Sequence, residues 1–270
     1  MNATPSLDRR NTSRVRVAHP IRISSAGRVL APEEKLSANG LLLDLSDGGL
    51  NFVCPAELLP SMPVEIGVLQ PAGPKGSLRE GLSLQATVVW HDPQTSRYGA
   101  RVLSTTERGR DLREVLAHIT KAFVFERTAF LPDTNAEGNV YFSRFFDWQG
   151  ETREAYLGKG ISPEEYRALL VSKTMMVTMN ATMEYLKMLR LFDTIYVRMT
   201  TRNIRGASLE LAFAFFNGRT SELVGRGSQR LTFQDRKGRI IPVPPPIRRI
   251  ALAIEETAVN PADALKSAAS

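Results

Sequence analysis

Between residues 15 and 103 the sequence repeats one pattern, in which short apolar alternations are separated by turn residues. The runs are VRVAHPIRI, LLLDLSDGGLNFV, PVEIGVL, SLQATVVW and YGARVL. Alternation of this kind is typical of strands that bury one face, and five or six short strands at this spacing predict a small antiparallel barrel. Apolar residues at helical spacing up to Ile119, after a cap at Ser104 or Thr105, predict a helix that closes this unit.

The pattern changes after about residue 120. A short strand signal and a loop, LPDTNAEGN, precede a helix predicted from about Val140 to Leu157. Four long strand signals follow, KTMMVTMNATMEYL, DTIYVRMTTRNI, ASLELAFAFFN and SELVGRGSQRLTFQ, with a return at RIIPVP. One long helix against a long antiparallel sheet predicts an α+β domain. The apolar positions that should form its buried sheet face are Leu209, Leu211, Phe213 and Phe215.

Length and composition are those of ordinary globular material, with 270 residues and 43% apolar content, which is enough for two domains. No run of about 18 apolar residues occurs and the first residues lack the apolar stretch of a secretory signal, so we expect a cytoplasmic protein. The predicted organisation is a flexible segment at residues 1–7, a first domain at residues 8–120, a second domain at residues 121–256 and a flexible tail at residues 257–270.

Metal and thiol chemistry are disfavoured by the residue types available. Cys54 is the single cysteine, which excludes a disulfide framework or a thiolate zinc site, and no histidine follows His118. We therefore predict no metal site and no bound cofactor. Any chemistry in the second domain must proceed without Cys or His.

Positive charge is concentrated at the start of the chain. The formal net charge is +7, but most basic residues are scattered among acids, whereas residues 8–28 hold six arginines and one acid. Such a cluster suits a compact polyanion, and a solvated basic arm is the alternative. Binding of DNA or RNA is not expected, because no aromatic stacking platform accompanies the arm.

Two separated motifs indicate what this positive charge could bind. Arg10 and Arg14 stand four residues apart before the first strand, and two guanidinium groups can grip phosphates and the edge of a guanine. Asp44 and Ser46 offer an acceptor and a small hydroxyl, while Gly49 permits a tight turn beside them.

The order and spacing of these motifs resemble the PilZ family, whose signature is RxxxR followed some 30 residues later by (D/N)xSxxG. The resemblance covers roughly residues 8–119 and implies a six-stranded barrel that binds cyclic di-GMP. It assigns Arg10, Arg14, Asp44, Ser46 and Gly49 to the nucleotide, and we add the neighbouring Arg9. A plain hairpin turn with a solvated arm remains the alternative.

In the second domain, one face of the predicted helix combines apolar and charged residues. At about 100° per residue, steps of 4, 3 and 4 place four side chains on this face, which are Phe142, Phe146, Gln149 and Arg153. A cation at the seam between helix and sheet is costly unless an anion or a carbonyl oxygen meets it. The geometry leaves open an internal salt bridge from Arg153 to Asp133, Glu137 or another acid.

The segment from Thr134 to Arg153 resembles the hotdog-fold acyl-CoA thioesterases of the 4-hydroxybenzoyl-CoA thioesterase class. It shares the TNxxGNVYF...WQGxxR pattern of the enediyne-polyketide thioesterases, and the similarity covers roughly residues 122–250. Where many members place a catalytic carboxylate, this chain has Asn135, which cannot act as a base.

The mechanism that this resemblance implies is electrostatic. Asn135 positions the thioester or the attacking water, while Arg153 and backbone N–H groups near Asn139 to Tyr141 stabilise the oxyanion. Relatives of this kind work as dimers or tetramers with the thioester bound across a subunit interface, so we expect at least a homodimer.

Together these features predict a cyclic di-GMP-responsive thioesterase acting on acyl-CoA or an acyl-carrier protein. The alternative is a non-catalytic cyclic di-GMP receptor whose hotdog domain serves dimerisation or acyl binding. Asn135 and the missing histidine favour the alternative, whereas Arg153 and the NVYF loop oppose it.

Overall fold

A computed structural model describes residues 15–26, 36–46, 49–71, 78–106 and 121–255. The chain forms two compact units. One contains the residues up to Thr120 together with Gly218–Glu222, and the other contains Lys121–Asn217 and the residues from Leu223 onward. The segments predicted to be flexible, at residues 1–7 and 257–270, lie outside the described residues.

The first unit is a closed antiparallel barrel with the strand order β1-β2-β3-β6-β5-β4. Its strands are β1 (Val15–Ser25), β2 (Ser37–Ser46), β3 (Gly49–Val53), β4 (Pro63–Pro71), β5 (Leu78–Asp92) and β6 (Arg97–Thr106). This confirms the six-stranded barrel predicted from the alternating runs. Strand β6 extends through Ser104 and Thr105, so neither residue caps a helix as we predicted, and the predicted closing helix falls outside the described residues.

Alternation along the strands fills the barrel. In β3, Leu50 and Phe52 are buried in the core while Asn51 between them faces outward. Phe52 stacks on Tyr98 at 5.5 Å between ring centroids, and the Tyr98 hydroxyl donates to the carbonyl of Ala56 at 3.0 Å. The interior is therefore occupied by side chains, and ligand chemistry belongs to the outer surface.

The second unit is a six-stranded antiparallel sheet with one long helix, as predicted. The path is β12-β11-β10-β9-β7, and β8 pairs with β11. The strands are β7 (Phe123–Thr128), β8 (Met175–Tyr185), β9 (Thr194–Arg202), β10 (Ser208–Asn217), β11 (Leu223–Gln234) and β12 (Ile240–Ile241). The long helix α1 spans Arg144–Gly160, and two shorter helices are α2 (Pro163–Val171) and α3 (Pro245–Ala253).

The predicted sheet face is buried under α1, and the buried face of the helix overlaps the predicted one only in part, at Gln149. Leu209 and Phe215 of β10 are buried in the common core, which confirms the period-2 prediction. Because α1 begins only at Arg144, Phe142 precedes the helix and is 54% exposed. The residues of α1 that are buried against the sheet are Phe145, Trp148, Gln149 and Thr152.

The two short helices were missed, although their signals are present. At α2, Ser162 caps the first turn: its hydroxyl accepts from the Glu165 N–H, the Glu165 carboxylate accepts from the Ser162 N–H, and Pro163 occupies the first position. The Tyr156 hydroxyl donates to the carbonyl of Ile250 at 2.7 Å and so joins α1 to α3. Among the described residues, no helix is long and apolar enough to cross a bilayer.

Two glycines of β11 allow α1 to lie close to the sheet. A methyl group on Gly227 would come within 2.4 Å of the Gln149 side chain and 2.5 Å of the backbone carbonyl of Thr182. A methyl group on Gly225 would come within 2.3 Å of Met183 and 3.6 Å of Phe145. A larger residue at Gly227 would therefore push the helix away from β11.

We expect Gly227→Ala to lower the free energy of unfolding by about 1–3 kcal/mol, because the added methyl group would collide with the Gln149 side chain and with the backbone carbonyl of Thr182. Urea unfolding followed by the emission of the buried Trp148 measures the change. Gly150→Ala is the matched control, since nothing lies within 4 Å of its methyl group and a helical Gly→Ala change stabilises by about 1 kcal/mol. Equal midpoints for Gly227→Ala and the wild type would contradict the close-packing argument.

Candidate active site

The loop before α1 is organised by Asn135. Its Oδ1 accepts the backbone N–H groups of Glu137 at 3.0 Å and Asn139 at 3.1 Å, and its own N–H donates to the carbonyl of Asn139. Gly138 adopts a φ of +76°, which favours glycine. The Asn135 side chain is exposed and its Nδ2 group has no hydrogen bond within the described part of the chain. The Oδ1 of Asn135 thus holds the loop together, and its Nδ2 group is available to a ligand.

The backbone N–H groups assigned to the oxyanion are already used, so that part of the prediction is wrong in this conformation. The N–H of Asn139 donates to Asn135, that of Val140 to the carbonyl of Leu189 at 2.8 Å, and that of Tyr141 to the carbonyl of Asp133 at 2.9 Å. The Tyr141 side chain is 49% exposed, with its ring against Phe142. These bonds hold the loop and leave no backbone donor for a substrate at these positions.

Arg153 lies half-buried on α1 and meets two neutral acceptors. Its Nη1 donates to Oε1 of Gln229 at 3.0 Å and to Oγ1 of Thr178 at 3.2 Å, and its Nε is buried without a partner among the described residues. Burial lowers the pKa of the Arg153 guanidinium, and the nearby Glu154 opposes this effect. The described residues place no carboxylate in an ion pair with Arg153.

A cavity of about 570 Å³ opens beside this guanidinium. Its wall is mainly apolar and combines residues of α1, α2, β8, β11 and α3, including Leu157, Tyr166, Leu169, Met176, Phe233 and Ile247. Ligand pockets of several hundred Å³ with few polar groups are typical of small-molecule sites. Arg153 supplies a positive charge at the edge of this one, and Glu154 also lines it.

The acids that could have neutralised Arg153 are engaged elsewhere. Asp133 is 4% exposed, accepts the N–H of Phe130 at 2.9 Å, and lies 3.7 Å from the guanidinium groups of both Arg127 and Arg144. Glu137 is exposed and accepts from Asn139. The internal salt bridge that the sequence left open is therefore not formed. No described hydrogen bond joins Asn135 to Arg153.

The second group of predicted site residues is in the barrel. Asp44 is half-buried near the end of β2 and accepts a hydrogen bond from Nδ2 of Asn51 at 3.0 Å. The backbone of Ser46, the last residue of β2, pairs with Gly49, the first residue of β3. The arginines assigned to this site, Arg9, Arg10 and Arg14, lie outside the described residues.

Family comparisons agree with this division of the chain. Residues 8–120 match the PilZ domain, and residues 131–250 match the thioesterase-like superfamily. The chain joins a PilZ domain to a thioesterase-like hotdog domain. A comparison with curated proteins finds no match.

Solved structures similar to the thioesterase-like half include three thioesterases. A dynemicin thioesterase is 24% identical with a TM-score of 0.46, and it covers 51% of this chain and 99% of its own. A 1,4-dihydroxy-2-naphthoyl-CoA thioesterase from Synechocystis is 19% identical with a TM-score of 0.45, over 48% of this chain and 96% of its own. A gentisyl-coenzyme A thioesterase is 20% identical with a TM-score of 0.42, over 47% and 98%.

Two residues near Arg153 in the thioesterase-like domain were missed, Gln229 and Thr178, which bind its guanidinium. Gln149, which the sequence placed on the same helix face as Arg153, is fully buried one turn earlier and donates to the carbonyl of Thr182 at 3.0 Å. Gln229 stands 76 residues from Arg153, and only the pairing of β11 with β8 brings it to the helix. No local sequence signal could have identified it. Within the described residues, no group of three His, Cys, Asp or Glu side chains could hold a metal ion.

Asp133 has a structural role in this geometry, so we expect Asp133→Asn to lower the free energy of unfolding by about 1–3 kcal/mol. The amide would keep the bond from the Phe130 N–H but would leave two guanidinium groups beside a neutral side chain. Urea unfolding measures the loss, and Glu137→Gln, which changes an exposed acid of the same loop, is the control with little expected effect. Unchanged stability of Asp133→Asn would contradict the structural assignment.

Proposed function

We propose that the thioesterase-like domain hydrolyses acyl thioesters of coenzyme A or an acyl-carrier protein, and that cyclic di-GMP bound by the PilZ domain modulates this hydrolysis. One observation supports the proposed hydrolase activity. A half-buried guanidinium, with no ion-paired acid among the described residues, borders a mainly apolar cavity. The cavity suits an acyl group, and the cation suits the oxygen on which negative charge develops.

In the proposed reaction the oxygen of a water molecule adds to the thioester carbonyl carbon. The carbonyl oxygen becomes an oxyanion, the C–S bond then breaks, and the thiolate takes up a proton to leave a free acid and a thiol. Arg153 stabilises the oxyanion, to which it can offer its Nη2 group, for which no described residue accepts a hydrogen bond. A thioester is already activated, so this site needs no strong general base.

Gln229 and Thr178 orient the Arg153 guanidinium without neutralising it. Both accept a hydrogen bond from Nη1 and neither carries a charge, so these two contacts do not neutralise the guanidinium. In a partly desolvated site this charge acts more strongly on an oxyanion than it would in water. An acid at either position would instead cancel the charge that the reaction uses.

Asn135 is the proposed second contact. Its Nδ2 group can donate to the thioester carbonyl or orient the attacking water while Oδ1 keeps the loop closed. This role requires the exposed loop and the Arg153 cavity to face one substrate. The N–H groups of Phe142 and Ser143, for which no described residue accepts, lie just before α1 and are further candidate donors.

We also propose that the domain works as a homodimer or homotetramer. Strand β8 pairs with β11 and with no other described strand, so one of its edges is unpaired. Met175, Met179 and Met188 at or near this strand are 45%, 57% and 70% exposed. An unpaired edge with exposed apolar side chains is suited to pairing with a second copy. Thr178, which binds Arg153, belongs to the same strand.

We expect Arg153→Ala to lose about 10²- to 10³-fold in hydrolysis rate, the usual cost of removing one oxyanion donor. Release of free thiol from short-, medium- and long-chain and aromatic acyl-CoAs and acyl-carrier-protein thioesters measures the rate. The control is Arg226→Ala, which removes an exposed arginine paired with Glu184 on the same sheet. Near-wild-type hydrolysis by Arg153→Ala would show that the active site lies elsewhere. Failure of the wild type on every substrate would favour a non-catalytic receptor.

For the PilZ domain we expect cyclic di-GMP to bind with measurable heat in calorimetry and Asp44→Ala to weaken that binding, because the carboxylate reads the guanine edge. Glu57→Ala, which changes an exposed acid of the same barrel, should bind as the wild type does. No heat at tens of micromolar nucleotide would reject the receptor. Identical hydrolysis rates with and without saturating nucleotide would reject the proposed regulation but not the proposed thioesterase activity.

A further inference from the structure

The apolar face of α2 is only partly covered by protein. Tyr166, Leu169 and Leu170 stand at steps of three and four, so they share one side of this helix. All three line the cavity of about 570 Å³ beside Arg153, and none of the nine residues of α2 is buried. Protein interiors are close-packed and hold few voids larger than a water molecule. An apolar helix face turned toward a cavity of this size therefore indicates room for an apolar ligand.

Helix α2 is held in place by contacts at its N-terminal end. Besides the cap at Ser162, Nη2 of Arg249 on α3 donates to the carboxylate of Glu165 at 2.8 Å and to the carbonyl of Gly160 at 3.2 Å. These bonds join the start of α2 to the end of α1 and to α3. They explain how α2 can form one wall of a cavity although its own side chains bury little surface.

The cavity extends along α1 from the guanidinium toward α3. Arg153, Leu157 and Ile161 line it at intervals of four residues, the last one just after the end of α1. At 1.5 Å per residue, the distance from Arg153 to Ile161 along the helix axis is about 12 Å. A methyl group on Gly160 would come within 2.8 Å of Ile250, which places α3 at this far end.

Charge and burial differ between the two ends of the cavity. The charged residues of its wall, Arg153 and Glu154, both lie at one end. At the other end the lining residues Ile161 and Ile247 are apolar and buried. Phe233 of β11, which is 1% exposed, covers the side toward the sheet. A ligand that matches this wall has a polar group at Arg153 and a long apolar tail.

The dimensions limit the length of such a tail. The backbone of an extended polypeptide advances about 1.2 Å per bond, so a straight chain needs roughly 10 bonds to span about 12 Å. A CH₂ group is similar in size to a water molecule, which occupies about 30 Å³ in the liquid, so ten carbons need about 300 Å³. The cavity of about 570 Å³ has room for this chain. A butyryl group would leave the end at α3 empty.

We propose that the substrate is a thioester of a straight aliphatic acid with roughly 8 to 12 carbons. Its carbonyl group lies at Arg153, its chain passes between α1 and α2, and its methyl end meets Ile161 and Ile247. The inference rests on the proposed thioester hydrolysis and adds the substrate class. Each CH₂ group that leaves water on binding strengthens binding by up to about 4-fold, so the length of the cavity determines the preferred chain.

The first measurement is the dependence of hydrolysis on chain length in the full-length wild type. Release of free thiol from saturated acyl-CoAs, in a series from butyryl to stearoyl, gives kcat/KM for each substrate. We expect kcat/KM to rise by roughly 2- to 4-fold per CH₂ group up to decanoyl or dodecanoyl. Beyond that length it should stop rising, because further carbons meet no new wall.

Gly158→Leu tests the position of the chain. Gly158 lines the cavity and nothing lies within 4 Å of a methyl group built on it, so a side chain there takes up cavity space without a clash at its first carbon. We expect kcat/KM for decanoyl-CoA to fall by about 10- to 100-fold, the equivalent of two or three CH₂ groups, with that for butyryl-CoA unchanged. Gly150→Leu is the matched control, since it also has open space on α1 but does not line this cavity.

Ile161→Ala tests the far end of the cavity in the opposite direction. The shorter side chain would lengthen the space beyond the methyl end of the substrate, so we expect the highest kcat/KM to move to longer acyl chains. An unchanged chain-length profile in both Ile161→Ala and Gly158→Leu would overturn the inference. Should either variant fail to fold, equal kcat/KM for butyryl- and decanoyl-CoA in the wild type would overturn it as well.

These outcomes separate the inference from the proposed function. If the wild type hydrolyses thioesters without the expected dependence on chain length, the thioesterase stands and the substrate class is rejected. If the wild type hydrolyses none of them, the proposed activity fails, and calorimetry with decanoate tests the cavity by itself. Binding of decanoate that Gly158→Leu weakens would support an aliphatic chain under α2. No binding, or equal binding by the wild type and Gly158→Leu, would reject it.

Discussion

Close packing of α1 on the glycines of β11 is the constraint on which the candidate active site depends. Gly227 leaves no room for a methyl group beneath Gln149, so the helix lies against the strand with a fully buried amide at the contact. One turn later the same approach brings Arg153 to Gln229. The position of the guanidinium is therefore linked to the packing of the Gln149 side chain on Gly227 at the neighbouring turn, and the cavity lies alongside it.

Within the described residues no acid forms an ion pair with this cation, although Glu154 lies nearby on α1. Asp133 lies among Arg127, Arg144 and the Phe130 N–H, while Arg153 meets only the neutral oxygens of Gln229 and Thr178 among the described residues. A buried ion pair would have been the ordinary solution for a half-buried arginine. Neutral acceptors orient the group and leave its charge for a substrate, which agrees with a site that stabilises an oxyanion without a general base.

From the sequence patterns, the helices and strands were predicted more accurately than the contacts between residues. The alternation through Leu209 and Phe215 identified the buried sheet face because side-chain direction in a strand follows from position alone. Phe142 was wrongly assigned to the helix because α1 begins at Arg144, after a loop whose N–H groups donate to backbone oxygens and to Asn135. Those same bonds removed the backbone oxyanion donors that the resemblance implied. Periodicity cannot show where a loop ends or which of its donors are already used.

By itself the sequence determined two domains, a barrel and a helix-on-sheet fold, and it pointed to Arg153, Asn135 and Asp44 as the residues proposed to carry their chemistry. Only the tertiary structure decided that Arg153 meets Gln229 and not an acid, and that α3 meets α1 at the far end of the cavity. The physical reason is the separation of these residues along the chain. Period and motif are local properties of the chain, whereas Gln229 stands 76 residues from Arg153 and Ile250 of α3 stands 94 residues from Tyr156 of α1. Strand register and helix packing bring them together.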